Sequence, residues 1–166
     1  MRVSATELMK KLKYLESEIR EVRKNDDQES YVPVEKEEDK VEYTPVYEST
    51  YNFAENRNKI AELYQEEIKI KKALNEFNQN TTVIGYSFNI NEALIRLGQL
   101  KSEVTALTNL SRFGLFKRDG YGEGLRKATF NFNEVKDYLR KAQRELSQLQ
   151  VAIDKTNLFS EIEYED

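Results

Sequence analysis

NEFNQNTTVIGYSFNINE, residues 75–92, joins two long segments whose apolar residues recur at helical spacing. The Asn and Thr side chains at its centre compete for backbone hydrogen bonds, so they favour helix ends and turns. Residues 81–87 are largely β-branched and aromatic with one glycine, which predicts a short strand. Asn89, followed three residues later by Glu92, forms a capping-box pattern. The stretch therefore predicts that one helix ends, a strand follows, and a new helix begins at Ile90.

Parts of this stretch recur nearer the C-terminus. SFNINE at 87–92 is repeated as TFNFNE at 129–134, with four of the six positions identical. The predicted helix end at 73–83 also has a counterpart at 152–162. The two segments share the spacing of an alanine, an Asn, a Ser or Thr, and a β-branched residue. We interpret these repeats as two helix-to-strand and two strand-to-helix junctions, although convergent capping chemistry would give the same pattern. The further elements predicted are a strand at 128–132 and a helix at 133–157.

Capping signals and apolar periodicity predict three further helices, at 5–25, 53–78 and 90–111. The first begins with a capping box made by Ser4 and Glu7. Its apolar residues alternate at spacings of four and three, which is the heptad seam of a coiled coil, and the last helix has a similar narrow seam. Narrow seams need a partner helix, in the same chain or in another copy. Gly98, in the middle of helix 90–111, predicts a close helix contact.

An acidic arm, residues 26–51, separates the first two predicted helices. It contains both prolines of the chain and nine acidic residues against two lysines. Two alternating runs, 31–35 and 41–47, predict a weak hairpin with a charged tip. Tyr43 and Tyr47 are candidate interaction residues for a protein partner, because aromatic side chains are enriched in interfaces. The alternative is an arm that packs along its own helices.

A glycine-rich basic loop is predicted at 112–127. It holds four of the six glycines of the chain and five basic residues against two acidic ones. The run GYGEG inside it lacks the glycine spacing and the Lys-Ser/Thr pair of a phosphate loop. Aromatic and basic side chains together suit RNA or acidic lipid, whereas a solvated loop is the alternative. The candidate interaction residues are Arg112, Phe113, Phe116, Lys117 and Arg118.

Composition excludes several chemistries. The chain has no cysteine and no histidine, which removes disulfides, thiolate nucleophiles, the usual zinc ligands and histidine acid–base pairs. No catalytic residue, cofactor-binding residue or cofactor is predicted. Glu66 and Glu67 are weak metal candidates, because carboxylates bind hard cations through oxygen, and surface charge is the alternative. Glu67 also interrupts the apolar seam of helix 53–78, so we expect it to be paired.

Two segments carry a family resemblance, ALNEFNQNTTVIG at 73–85 and AIDKTNLFSEIE at 152–163. They resemble a family of small bacterial and phage-borne helical proteins without an established activity, some of which carry the label septicolysin. The resemblance covers most of the chain from Thr44 onward and rests on capping and joint residues. It implies helices with small strands and self-association. The label suggests a toxin, but the sequence contains no amphipathic or apolar insertion segment.

The sequence thus predicts a single domain of the mainly α class, which fits its length of 166 residues. Long antiparallel helices form a bundle with a small β layer at the helix ends. This layer is predicted from residues 82–87, residues 128–132 and the acidic tail at 159–166. The tail alternates apolar and acidic side chains, so it would form an edge strand with its acidic side in water.

The leading functional hypothesis is a non-enzymatic, self-associating structural or adaptor protein with coiled-coil character, cytoplasmic and of bacterial or phage origin. We expect a homo-oligomer and, as a further possibility, a protein partner. A formal net charge of −4 argues against a dedicated nucleic-acid binder, and no apolar run approaches a membrane span. Two alternatives stay open: a metal-dependent enzyme with carboxylate ligands, and an accessory nucleic-acid-binding protein that uses the basic loop.

Overall fold

A computed structural model describes residues 2–36, 42–112, 114–118 and 124–164. Within these residues the chain forms four α-helices and six three-residue strands, so the predicted mainly α fold with a small β component is confirmed. The chain divides into two compact units, Met1–Asn75 with Glu161–Asp166, and Glu76–Ser160. The elements in chain order are β1 (Arg2–Ser4), α1 (Ala5–Glu29), β2 (Val34–Lys36), β3 (Tyr43–Pro45), α2 (Phe53–Asn80), α3 (Ile90–Ser111), β4 (Phe116–Arg118), β5 (Leu125–Lys127), α4 (Phe132–Phe159) and β6 (Glu161–Glu163).

In the first unit, side-chain contacts join α1 to α2 in an antiparallel arrangement. The Lys11 ammonium, early in α1, lies 2.8 Å from the carboxylate of Glu66, in the middle of α2. Asp26, near the end of α1, pairs with Arg57, near the start of α2. The apolar seam of α1 is buried within this single chain, at Leu8, Leu15, Ile19 and Val22.

The N-terminus of α1 carries the predicted capping box. The Glu7 N–H donates to Ser4 Oγ at 3.2 Å, and the Ser4 N–H donates to the Glu7 carboxylate at 2.8 Å. This second hydrogen bond lowers the pKa of Glu7, because it stabilises the charged form. α1 runs beyond its predicted end to Glu29. A carboxylate near a helix C-terminus is unfavourable, but the Tyr51 hydroxyl donates to Asp26 at 2.6 Å and offsets this cost.

The acidic tail forms the predicted strand, β6, which pairs antiparallel with β1. Ile162 lies opposite Val3 and is buried, whereas Glu161 and Glu163 are exposed, and the Arg2 guanidinium lies 3.6 Å from each carboxylate. The sequence does not predict β1, because three residues ahead of a helix cap show no periodicity. The small β component is therefore present, but the three strand pairs of the described residues form separate two-stranded sheets and not one layer.

In the second unit, residues 81–89, which we call the joint, connect α2 to α3. The predicted strand at 81–87 is wrong, because the joint forms a tight turn. The Tyr86 N–H donates to the Val83 C=O at 3.0 Å, and Gly85 has a φ of +83°, a region that favours glycine. The chain therefore folds back on itself, and the β pairing within the joint is limited to one isolated bridge.

One buried side chain holds the joint to the C-terminal part of α4. Thr156 is 0% exposed, and its hydroxyl accepts from the Ile84 N–H at 3.0 Å and donates to the Ala152 C=O at 2.8 Å. Val83 and Ile90, on either side of the turn, are also buried. The repeat at 152–162 therefore contains the residue that fastens the joint.

The repeated hexapeptide encodes a helix cap at both of its positions. Asn89 and Glu92 make the predicted capping box of α3. Asn131 caps α4 by accepting from the N–H groups of the two residues Asn133 and Glu134, at 3.0 and 3.4 Å. The predicted strand at 128–132 is wrong, because residues 128–131 form no strand and α4 begins at Phe132.

α3 and α4 run antiparallel. The Arg96 guanidinium, early in α3, lies 2.7 Å from the carboxylate of Glu145 in α4. Leu107, late in α3, lines the same groove as Tyr138, early in α4. Gly98 is exposed, and a β-carbon there would meet no atom within 4 Å. The predicted close contact at this glycine is therefore wrong.

Burial along the α3–α4 pair is uneven. Residues 90–100 of α3 with residues 142–159 of α4, here the closed half, contain nine buried side chains. Residues 101–111 of α3 with residues 132–141 of α4, here the open half, contain none. The buried residues of the closed half are Ile90, Ala93, Leu97, Leu100, Ala142, Leu149, Ala152, Ile153 and Thr156. The half-buried apolar seam of the open half consists of Val104, Leu107, Val135 and Leu139.

Candidate functional site

The predicted basic loop contains a β-hairpin. β4 and β5 pair antiparallel, with Lys117 opposite Arg126 and with Phe116 opposite Lys127. Side chains alternate across a strand, so the pair Lys117 and Arg126 shares one face, and the other strand residues share the opposite face. All six strand residues are exposed. The hairpin therefore has one purely cationic face and one mixed face of apolar and basic side chains.

The β4–β5 pocket, with a volume of about 660 Å³, lies between this hairpin and the end of α3. Lys117, Arg126 and Lys127 line it, so three basic side chains of the hairpin border the pocket. The apolar part of the lining is contributed by Ala106, Leu110, Leu115, Ala128 and Phe130. Basic groups beside an apolar surface suit a ligand or segment that carries both acidic and apolar groups.

The structure separates the interaction candidates of the basic loop. Lys117 lines the pocket, whereas Phe116 and Arg118 lie on the other hairpin face. Arg112 follows α3 as its C-cap, and its N–H donates to the Asn109 C=O. Phe113 and the hairpin tip at 119–123 lie outside the described residues. Sequence reasoning did not single out Arg126 and Lys127 as candidates, because the register that places them opposite Lys117 and Phe116 is set by the folded hairpin.

The acidic arm contains the predicted hairpin, β2–β3, whose six strand residues are all exposed. Tyr43 and Tyr47 are exposed, and the Lys36 ammonium lies 5.9 Å from the centre of the Tyr43 ring. The base of the arm is tied to α1, where the Ser49 hydroxyl donates to the Glu29 C=O at 3.0 Å. The arm is thus anchored at its base and exposed along its hairpin. Of the predicted tip at 36–40, Lys36 is the last residue of β2, and residues 37–40 lie outside the described residues.

The two metal candidates are each paired with a lysine. Glu66 lies 2.8 Å from Lys11, and Glu67, whose side chain is 18% exposed, lies 2.5 Å from Lys71 on its own helix. The hydrogen bond from Lys71 to Glu67 raises the pKa of that lysine, because it stabilises the ammonium form. In the described part of the chain, no group of three or more acidic side chains converges as a cation site would require. Pairing of Glu67 is as expected, and metal binding there stays a prediction.

Comparisons with known proteins identify a fold relative. No protein-family model matches the chain, and no curated protein matches it. Among solved structures, a functionally unknown conserved protein from Corynebacterium diphtheriae aligns with a TM-score of 0.71 and 18% sequence identity, over 98% of this chain and 100% of that one. At this identity the similarity shows the fold alone. Across the described residues, no helix is both long and apolar enough to cross a membrane.

Proposed function

We propose that this protein is a non-enzymatic, self-associating helical adaptor whose copies join through the open half of the α3–α4 pair. The observation that carries the proposal is burial: none of the described residues from 101 to 141 is buried, although the helix seam there is apolar. Two helices leave both sides of an apolar stripe open to water, whereas four helices enclose it. A second copy of the same helix pair would supply the missing two.

The charges along the open half are compatible with pairing of two copies. A groove of about 500 Å³ between α3 and α4 is lined by Leu107 and Tyr138 together with Glu103 and Lys141. In a two-fold arrangement each copy presents this same surface to the other. Glu103 of one copy would then approach Lys141 of the second copy, and the reverse, so the contact is self-complementary in charge.

The seams that first suggest self-association do not contribute equally to this proposal. The α1 seam and the closed half of α4 are buried within one chain, so neither needs a second copy. The open half supports the proposal because its apolar seam residues are only half-buried. Leu110 and Tyr138 add exposed apolar area beside the half-buried seam. The expected contact is therefore limited to one end of the α3–α4 pair.

Light scattering on protein eluting from a gel-filtration column tests the proposal. At tens of micromolar we expect a dimer for the natural sequence. Leu107→Lys should give a folded monomer, because an ammonium group in an apolar contact costs several kcal/mol, roughly the energy of such an interface. Ser102→Lys adds the same charge on an exposed position of α3 away from the groove and should stay dimeric. Circular dichroism checks that both variants retain their helix content.

Two results would reject the proposal. One is a natural protein that remains monomeric at this concentration, and the other is a folded Leu107→Lys variant that remains dimeric. A Ser102→Lys variant that dissociates as readily as Leu107→Lys would also count against it, since the effect would then come from charge alone.

A further inference from the structure

We propose that the β2–β3 hairpin of one copy docks in the β4–β5 pocket of a second copy. The inference rests on the proposed function only in requiring that copies meet, because it uses neither the seam nor the groove of the open half. It identifies a second contact and the chemistry of its two sides. One side is an acidic, aromatic hairpin, and the other is a basic pocket with apolar lining.

The pocket side favours carboxylates. Lys117 and Arg126 lie directly opposite each other in the strand pair, and both line the pocket. With Lys127, they give the pocket a basic border, and a partner surface that carries carboxylates is complementary to it in charge. Leu110, Leu115 and Phe130 line the same pocket. The occupant should therefore present apolar side chains together with its acidic ones.

The β2–β3 hairpin has this combination. Its segment carries the exposed acids Glu35, Glu42 and Glu48. The complete arm has nine acidic residues against two lysines, so its charge is opposite to that of the basic loop. Opposite charges steer association and fix the register of a contact. The exposed large apolar side chains that accompany the acids are Val34, Tyr43, Val46 and Tyr47.

Both hairpins are short and exposed, so a bound partner would stabilise either one. Each consists of three residue pairs, and every strand residue in both is exposed. A two-stranded hairpin alone is marginally stable in water, so docking one against the other would order both. In the head-to-tail arrangement that we propose, each copy docks its hairpin in the next copy, so the end copies of a pair still have one unused hairpin or pocket. Such a head-to-tail contact extends beyond a dimer, into rings or open chains.

Charge reversal with recombination tests the docking. The acidic-pocket variant carries Lys117→Glu, Arg126→Glu and Lys127→Glu, and the basic-hairpin variant carries Glu35→Lys, Glu42→Lys and Glu48→Lys. At low ionic strength the natural protein should show a mass above that of a dimer by light scattering. The excess mass should disappear as salt shortens the Debye length from about 10 Å at 0.1 M to about 3 Å at 1 M. Each variant alone should lose the excess mass, because its hairpin and pocket then repel.

An equimolar mixture of the two variants should recover the lost mass, because the acidic hairpin of one variant fits the basic pocket of the other. Recovery also proves that neither variant lost its association through misfolding. The matched control reverses three exposed lysines on α1 and α2, with Lys13→Glu, Lys24→Glu and Lys69→Glu, and should associate like the natural protein. Failure of the mixture to recover the excess mass overturns the proposal.

Repeating the mixture in the Leu107→Lys background separates this inference from the proposed function. Association that persists there supports hairpin docking even if the seam contact fails. A natural protein that forms only dimers, unchanged by either set of reversals, overturns hairpin docking and leaves the seam contact standing. If the natural protein forms only dimers and its pocket instead binds single-stranded RNA, with an affinity that falls with salt and is lost in the acidic-pocket variant, the docking proposal is also overturned.

Discussion

The closed and open halves of the α3–α4 pair belong to the same two helices, yet one half is a core and the other is a surface. Both halves have apolar residues at seam positions, and an N-cap asparagine begins a helix in each. The closed half lies where Thr156 fastens the joint, and nine of its side chains are buried. The difference teaches that a seam predicts which face of a helix is apolar, whereas a third element decides whether that face is buried.

Truncation of one leucine in each half should give the largest difference between the halves in the free energy of unfolding. Leu149 is 1% exposed, so Leu149→Ala should lower the free energy of unfolding by about 2–5 kcal/mol through lost burial and a new cavity. Leu139 is half-buried in the open half, and Leu139→Ala should cost about 1 kcal/mol or less. Urea unfolding at concentrations low enough to keep the protein monomeric measures both values. Equal losses would mean that the open half is covered in the monomer.

Removal of the Thr156 hydroxyl should lower the free energy of unfolding by removing a hydrogen bond from the closed half. Thr156→Val keeps the shape of the side chain but leaves the Ile84 N–H without its acceptor, which should cost about 1–3 kcal/mol. Thr156→Ser keeps the hydroxyl and loses one methyl group, at about 0.8 kcal/mol. Thermal or urea unfolding ranks the two variants. A serine variant that is less stable than the valine variant would show that the methyl group matters more than the hydrogen bond.

The two N-cap asparagines should contribute equally to stability, although one lies at the closed half and the other at the open half. Asn89→Ala and Asn131→Ala each remove a side-chain acceptor for helix N–H groups, and each should cost about 1 kcal/mol. Because capping is local, the free energy of unfolding should fall by a similar amount in the closed and open halves. A much larger loss for Asn89→Ala would mean that its side chain also stabilises the joint, in addition to capping α3.

The smallest effect, a gain, is expected at Gly98 near the boundary between the halves. The position is helical and exposed, with open space around an added β-carbon, so Gly98→Ala should raise the free energy of unfolding by about 0.5–1 kcal/mol. Gly98→Ser gives a control with a β-carbon but a lower helix propensity and should gain less. A loss of stability in Gly98→Ala would place an unseen partner against this side of α3.

Helix starts were predictable because their determinants are local. The capping boxes at Ser4 and Asn89 need only residues within four positions of each other, and both form. The same locality explains the error at 81–87 and 128–132. The repeated hexapeptide encodes a helix cap. The β-branched residues near it favour extended backbone, but a strand also requires a pairing partner, which the repeat does not specify.

Strand pairing and the candidate surfaces depended on residues far apart in the chain. β6 pairs with β1, which lies at the opposite end of the sequence, so the sequence of one strand does not predict its pairing with the other. The basic pocket likewise requires Arg126 to lie opposite Lys117, a register that follows from the folded hairpin. Tyr43, Tyr47 and Lys117 were recognisable as candidates by residue type. The acidic hairpin was also predictable, but the grouping of Lys117 with Arg126 in one basic pocket was not.

The sequence by itself determined where the helices begin, which faces are apolar, and how the charge divides between an acidic arm and a basic loop. These properties follow from capping, periodicity and composition, which act over a few residues. The tertiary structure alone decided that the joint turns at Gly85, that Thr156 holds it, and that the seam is buried in one half of the α3–α4 pair and open in the other. Burial depends on which elements meet in space, and no local pattern encodes that meeting.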